Sequence, residues 1–279
     1  MKIKEVLSKG ITQLKQNNIE ASNLKARMLL ANILGKPKEY FITHDNEDID
    51  ETEFFLQIKM LINKTPIQYI INNQEFMKLN FYVDENVLIP QPDTEILVEE
   101  VISLAEEKEN LEILDLCTGS GCIGISLAKY IEKSRVTAID ISNKAIQIAK
   151  LNAEKNLVHK NIKFIESDMF KNIEEQYKFD FIVSNPPYIE TKVIEELSEE
   201  VRKEPRIALD GGEDGLNFYK EIANNAYKYL KKDGYLCLEI GYDQKENVIE
   251  LLYKIGEYKE IYSKKDLSGN DRIIVAKRV

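Results

Sequence analysis

Residues 112–124 read EILDLCTGSGCIG. A short apolar run ending at Cys117 predicts a buried strand, and the glycines after it predict a tight turn into a helix that runs through Tyr130. Gly119, Gly121 and Gly124 form a G-x-G-x-x-G. The next apolar run, RVTAID (135–140), ends on Asp140, 19 residues past Gly121. Glycines let the backbone approach a ligand closely, and a carboxylate closing the second strand can accept from both hydroxyls of a ribose. Any adenosine cofactor needs this pair of features. The turn alone therefore leaves a nicotinamide dinucleotide and S-adenosylmethionine both open, whereas a ligand-free turn leaves Asp140 without a reason.

The pattern continues on both sides. NIKFIE (161–166), FDFIVS (179–184) and YLCLEI (235–240) read as further strands. Helices are expected from Ser142 to Asn156, from Gly215 to Leu230, and onward through Lys254. Alternating β and α units predict an α/β fold with a mostly parallel sheet covered on both faces. EYKEIYS (257–263) and RIIVAK (272–277) leave no room for a helix between them and should pair antiparallel. There is no internal repeat and no low-complexity segment.

Upstream, residues 1–72 read as a small helical bundle. Ile3, Val6, Leu7, Ile11 and Leu14 recur at helical spacing. Ser22 is the expected cap of a second helix stopped by Gly35 and Pro37, and Asp50 that of a third. Such a bundle is either a packing cap or a recognition module for a macromolecular substrate. Leu79, Phe81 and Val83 alternate with polar neighbours, so residues 73–91 are expected to form a β-hairpin linker. Residues 92–279 make the larger domain, opening on a helix from Thr94 to Glu107.

The chain has 279 residues and is 43% hydrophobic, enough for a full core without disulfides or metals. Cys117, Cys122 and Cys237 form no disulfide framework and no metal-ligand pattern, which fits a reducing, cytoplasmic setting. With only His44 and His159, neither in a motif, chemistry on a histidine base is not expected. The opening MKIKEVLSKGITQLKQ is charged rather than signal-like, and no run reaches membrane-span length. Residues 1–80 hold 11 basic and 10 acidic side chains, and the remainder 27 and 38. An acidic larger domain argues against direct nucleic-acid binding, where phosphate contacts call for Lys and Arg. A monomer without metal is expected.

Asn185-Pro186-Pro187-Tyr188 follows the fourth strand. A rigid turn would use these residue types. Position makes more of them, because ligands in open α/β sheets bind beyond the carboxyl ends of the strands. A planar amide or exocyclic amine is a poor nucleophile that needs alignment and acceptors for its N–H groups. The Asn185 oxygen and the Pro186 carbonyl are such acceptors, and the Tyr188 ring can pack against a flat group. Transfer then depends on positioning and on meeting the charge that develops on nitrogen.

The string D-L-x-T-G-S-G resembles the first motif of class I methyltransferases, and Asn-Pro-Pro-Tyr resembles both amino-methylating DNA enzymes and glutamine methyltransferases. Further segments separate the two. Pro66-Ile67-Gln68-Tyr69, Glu75-Phe76, LIPQPDTE (88–95), ALDGGEDGL (208–216), EIGYDQ (239–244) and GNDR (269–272) together resemble the HemK-type release factor glutamine methyltransferases, and the N-terminal helical domain matches as well. Gln91 is a departure, since that family usually carries Arg there, and with it goes any role of the charge in contacting substrate or a domain interface. The resemblance implies a seven-stranded class I methyltransferase fold and methyl transfer from S-adenosylmethionine, leaving S-adenosylhomocysteine. The acceptor implied is the glutamine amide in the Gly-Gly-Gln loop of peptide chain release factors. It implies that Cys117, Thr118, Gly119, Ser120, Gly121, Asp140 and Asn185 hold the cofactor, with Asp168 and Met169 near the adenine. Asn185, Pro186, Pro187 and Tyr188 would receive the substrate amide. Alternatives are a ribosomal-protein glutamine methyltransferase, a DNA or RNA amino-methyltransferase, a nicotinamide-dependent oxidoreductase, and an inactive binding module. The third leaves Asn-Pro-Pro-Tyr unexplained, and the last leaves the intact glycine turn, Asp140 and Asn185 unexplained.

Overall fold

The computed structural model describes residues 1–106 and 108–279, which form two compact units. The first comprises Met1–Asn73 with Ser198–Lys203. It contains α1 (Ile3–Gln16), α2 (Ser22–Leu34), α3 (Tyr40–Thr43), α4 (Thr52–Ile62) and α5 (Ile67–Ile71). Val6, Leu14, Leu29, Leu30, Phe54 and Ile58 are fully buried at its centre. Gly10 lets α1 and α4 close, because a Cβ there would lie 2.6 Å from the Phe54 ring. Gly35 ends α2 in the left-handed conformation, φ 60°, as its position in the sequence predicts. Asp50 accepts from the Thr52 N–H and hydroxyl at the start of α4. Ser22 does not cap α2. Its hydroxyl turns back to the Ile19 carbonyl, and Ala21 occupies the cap position in a left-handed conformation.

The second unit comprises Gln74–Leu197 and Glu204–Val279. It opens with β1 (Gln74–Phe76) and β2 (Leu79–Phe81), an antiparallel hairpin. Met77 and Lys78 between them both have positive φ, 49° and 58°, which is the type I′ geometry that matches strand twist. Phe76 and Phe81 meet edge to face and are buried in this unit's core. A 3-10 turn at Pro92–Thr94 leads into α6 (Glu95–Leu104). The helix is shorter than the expected span, whose last residue, Glu107, lies outside the described residues.

There follow β3 (Glu112–Leu116), α7 (Cys122–Tyr130), β4 (Arg135–Asp140), α8 (Asn143–Lys155), β5 (Ile162–Glu166), β6 (Phe179–Ser184), α9 (Asn217–Tyr229), β7 (Leu230–Glu239), α10 (Lys245–Ile255), β8 (Tyr258–Lys265) and β9 (Asp271–Arg278). The seven strands lie in the order β5-β4-β3-β6-β7-β9-β8. β3 to β7 are parallel, and β9 runs antiparallel to both β7 and β8. Alternate strand residues serve two cores. Ile113, Phe181, Val183 and Cys237 face one, and Leu114, Leu116, Ile182 and Leu238 the other. Burial on both faces is why these strands read as continuous apolar runs. From β3 the chain winds to β4 and β5, and from β6 to β7. The sheet therefore changes direction between β3 and β6, where a crevice opens at their carboxyl ends.

Candidate functional site

The glycine turn is organised by a buried acid. Asp115, fully buried near the end of β3, accepts from the Thr118 hydroxyl at 2.6 Å and the Gly124 N–H at 3.0 Å. Its other oxygen has no hydrogen-bond partner among the described residues. Burial outweighs the two donors and raises its pKa to about 7. Gly124 lets α7 approach, since a Cβ there would sit 2.8 Å from the Asp115 carboxylate. Cys117, Gly119 and Gly121 have φ of 59°, 54° and 85°. Glycine is at ease in that conformation and Cys117 bears the strain of it, and at Gly121 a Cβ would also meet Ile125 at 2.8 Å. At Gly119 a Cβ would meet nothing within 4 Å, because the residue faces an open cleft.

Cys117, Gly119, Asp140, Asp168, Met169, Asn185 and Pro187 all line this cleft. The structure thus brings the glycine turn, the end of β4, the turn after β5 and the turn after β6 to one place. Asp140 accepts from the Gly119 N–H at 2.9 Å and the Ser142 N–H at 2.8 Å, so it also fixes the glycine turn. Burial raises its pKa, and these donors work against that. Asp168 pairs with Lys171 and is half-buried. Ile139, Met169 and Phe218 give the cleft apolar walls beside the Asp140 carboxylate. Apolar walls, an acid and an uncovered glycine backbone are what a flat heteroaromatic ring joined to a ribose requires. Thr118, Ser120 and Gly121 stand behind this wall, with Thr118 committed to Asp115 and Ser120 buried. Val87, Ile141, Ser142 and Phe218 also line the cleft, although sequence reasoning did not assign them to it. The adjacency of Ile141 and Ser142 to Asp140 was the one available signal.

The Asn185–Tyr188 turn is held from three sides. The Ser184 hydroxyl donates to the Leu116 carbonyl at 2.8 Å, tying β6 to β3 just before the turn. The Asn185 amide donates to the Thr94 hydroxyl at 3.3 Å. The Tyr188 carbonyl accepts from the Gln244 side chain at 2.9 Å, and Gln244 also receives the Gly241 N–H. Residues 208–216 lie against the turn, with backbone bonds between Ile189 and both Leu209 and Gly211. A Cβ on Gly211 would be 2.7 Å from Tyr188 Cα, and one on Gly215 would be 2.5 Å from the Tyr188 carbonyl oxygen. The segments ALDGGEDGL and EIGYDQ, far apart in sequence, therefore converge on one turn. Pro186 is buried. The Tyr188 ring packs against the core, and its hydroxyl points at the buried Glu239 carboxylate at 3.4 Å. Gln91 folds its amide back onto the Ile89 carbonyl. Among the described residues no helix is long and apolar enough to cross a membrane.

Comparison with known proteins identifies the family. Residues 91–212 match the methyltransferase small domain family, and residues 5–71 match the PrmC N-terminal domain. A release factor glutamine methyltransferase from Clostridium acetobutylicum is 41% identical, over 100% of this chain and 99% of its own. One from Clostridium botulinum is 40% identical over 100% of both chains. A Pyrococcus furiosus methyltransferase of solved structure, 18% identical, superimposes with a TM-score of 0.54 over 80% of this chain and 98% of its own, a likeness of fold alone. At this identity over the full length, the chain belongs to the release factor glutamine methyltransferase family.

Proposed function

We propose that this enzyme transfers a methyl group from S-adenosylmethionine to the side-chain amide nitrogen of the glutamine in the Gly-Gly-Gln motif of peptide chain release factors, in the cytoplasm and as a monomer. The observation that carries the reading is the sharing of one cleft by Asn185, Gly119 and Asp140. The cofactor, when bound, supplies an electrophilic methyl on a sulfonium. Gly119 and Asp140 hold its ribose side, and Met169 and Asp168 flank its base. Asn185 commits its NH2 to Thr94, which leaves its carbonyl oxygen to accept a substrate N–H. The Pro186 carbonyl, rigid because proline fixes φ, is the second acceptor. Together they align the amide lone pair with the methyl and stabilise charge developing on nitrogen. The proton then leaves to solvent, and no strong base is needed. Tyr188 acts from behind, fixing the turn. Bare DNA is not a substrate, in keeping with the acidic larger domain.

The test is incubation of the enzyme with labelled S-adenosylmethionine and purified release factor, with the label mapped by peptide. Asn185→Ala should slow single-turnover transfer by roughly 100- to 1,000-fold, as removal of one preorganised polar partner does elsewhere, while cofactor binding persists. Label on another residue, or a rate within a few-fold of wild type, refutes the reading.

A further inference from the structure

Glu239, at the end of β7, is only 2% exposed, and one of its carboxylate oxygens has no partner among the described residues. A carboxylate buried in this way weakens a fold, so its presence calls for another reason. Its surroundings supply one. The Tyr188 hydroxyl donates to Oε1 at 3.4 Å, and the Thr94 hydroxyl lies beside the same carboxylate and helps hold its pKa down. A hydroxyl has one proton. Thr94 accepts from Asn185 Nδ2 at 3.3 Å, which leaves its own proton to turn toward Glu239. A carboxylate that draws this proton keeps Thr94 an acceptor, and so leaves the Asn185 oxygen facing the cleft.

We propose that Glu239 is a positioning residue for methyl transfer: acting through Thr94 and Tyr188, it turns the Asn185 oxygen toward the substrate amide and holds the turn around it. The inference rests on the acceptor role given to Asn185 above. It applies to the ionised carboxylate. A protonated Glu239 would offer a donor of its own, and Thr94 would no longer need to accept from Asn185. Arg272, which also binds Asp266 at 3.0 Å and Asp93 at 3.3 Å, favours the ionised form. Burial and Asp93 oppose it, and the balance is a pKa of about 7. The other titratable groups facing Glu239 are Tyr188, Cys122 on α7, and Tyr219 on α9, whose hydroxyl donates to the Glu239 carbonyl at 2.9 Å.

Single-turnover methylation of intact release factor at saturating S-adenosylmethionine, between pH 6 and 9, tests this. Glu239→Gln and Thr94→Val should each slow transfer by roughly 10- to 100-fold, the worth of a hydrogen bond to a charged group, with cofactor affinity and KM for release factor unchanged. Thr94→Ser, which keeps the hydroxyl, should recover most of the rate. The double variant should be no slower than the slower single one, because both changes cut the same relay. Wild type should lose rate on the acid side with a midpoint near the carboxyl's pKa of about 7, and Glu239→Gln should lack that limb. A Glu239→Gln rate within three-fold of wild type, an unchanged acid limb, or additive losses overturns the proposal. Should Glu239→Gln not fold, Thr94→Val at the wild-type rate overturns it alone. Asn185→Ala run alongside separates the two claims. If that variant keeps its rate, the acceptor role fails and the relay with it. If it loses its rate while Thr94→Val and Glu239→Gln do not, only the relay is refuted.

Discussion

Gly211→Ala offers a quantitative probe of how closely the turn is held. The added Cβ would lie 2.7 Å from Tyr188 Cα, 2.8 Å from its carbonyl carbon and 2.9 Å from the Gly215 carbonyl oxygen. All three are backbone atoms, so no side chain can swing aside. Carbon atoms in contact rest at about 3.5 Å, so one backbone must retreat by roughly 0.8 Å. Gly211 is bonded to the Ile189 carbonyl at 2.8 Å, which couples the retreat to the turn itself. Displacement of a reacting geometry by about 1 Å costs on the order of 100-fold in rate. Asn185 lies three residues upstream of the clash and should receive part of the shift, so we expect a 10- to 100-fold slower single turnover (roughly half to all of that effect on a logarithmic scale). The cofactor should bind normally, because Gly119 and Asp140 belong to other strands. Gly256→Ala is the control. Its φ of 75° strains any alanine, yet a Cβ there meets nothing. It should lower the melting temperature and leave the rate of folded enzyme alone. A folded Gly211→Ala enzyme turning over within three-fold of wild type would show that the spacing does not matter to the chemistry.

Asp140→Ala should weaken S-adenosylmethionine binding by roughly 10- to 100-fold, since it removes a charged acceptor and frees the Gly119 N–H; calorimetry finding an unchanged affinity, or tight binding of a nicotinamide dinucleotide, contradicts the cofactor assignment. Stability should fall as pH rises from 5 to 7. Asp115 has a folded pKa of about 7 against 3.8 for the free group, so the folded state holds the extra proton between those values and loses that advantage as the pH climbs. The slope contributed is at most about 1.4 kcal/mol per pH unit. Asp210, Asp214, Asp266 and Asp271, whose pKa values are lowered, are ionised in both states across this window and do not contribute. Urea unfolding of Asp115→Asn should show a shallower slope than wild type, and equal slopes would refute the assignment. Leu56 and Met60, exposed one turn apart on α4, are suited to contact a protein substrate. Changing both to Ser should raise KM for intact release factor by about 5- to 30-fold, equivalent to 1–2 kcal/mol, without altering cofactor affinity; an unchanged KM removes this face from recognition.

The sheet was legible because its strands are buried on both sides. EILDL, RVTAID and FDFIVS leave few polar positions, and β4 and β6 start and stop where the runs do. The glycine turn was legible because two of its three left-handed positions, Gly119 and Gly121, are taken by the residue that adopts them without strain. Local polar choices were less so. Ser22 has the residue type of a cap, but a hydroxyl can satisfy an upstream carbonyl equally well, and here it bonds Ile19. The turn at Met77-Lys78 carries no Asn-Gly signal. It keeps its type I′ form because Phe76 and Phe81 are locked in the core on either side of it.

Tyr188 marks where sequence reasoning stops for a physical reason. Taken alone, a tyrosine after two prolines is a surface to stack against. Whether its hydroxyl meets a carboxylate depends on the register of strands separated by dozens of residues. Ser184 pairs with Leu238 between β6 and β7, which sets Glu239 beyond the end of β6 and beside the turn. Glu239 in turn pairs with Ile273 between β7 and β9, which sets Arg272 next to it. A slip of one residue in either ladder would send Glu239 to the opposite face of the sheet and leave Tyr188 facing apolar core. The chemistry of the turn is therefore written in the hydrophobic patterning of β7 and β9, whose apolar positions fix that register, as much as in Asn-Pro-Pro-Tyr. Substitutions that disturb Leu238 or Ile273 should reach the rate of methyl transfer without touching any ligand.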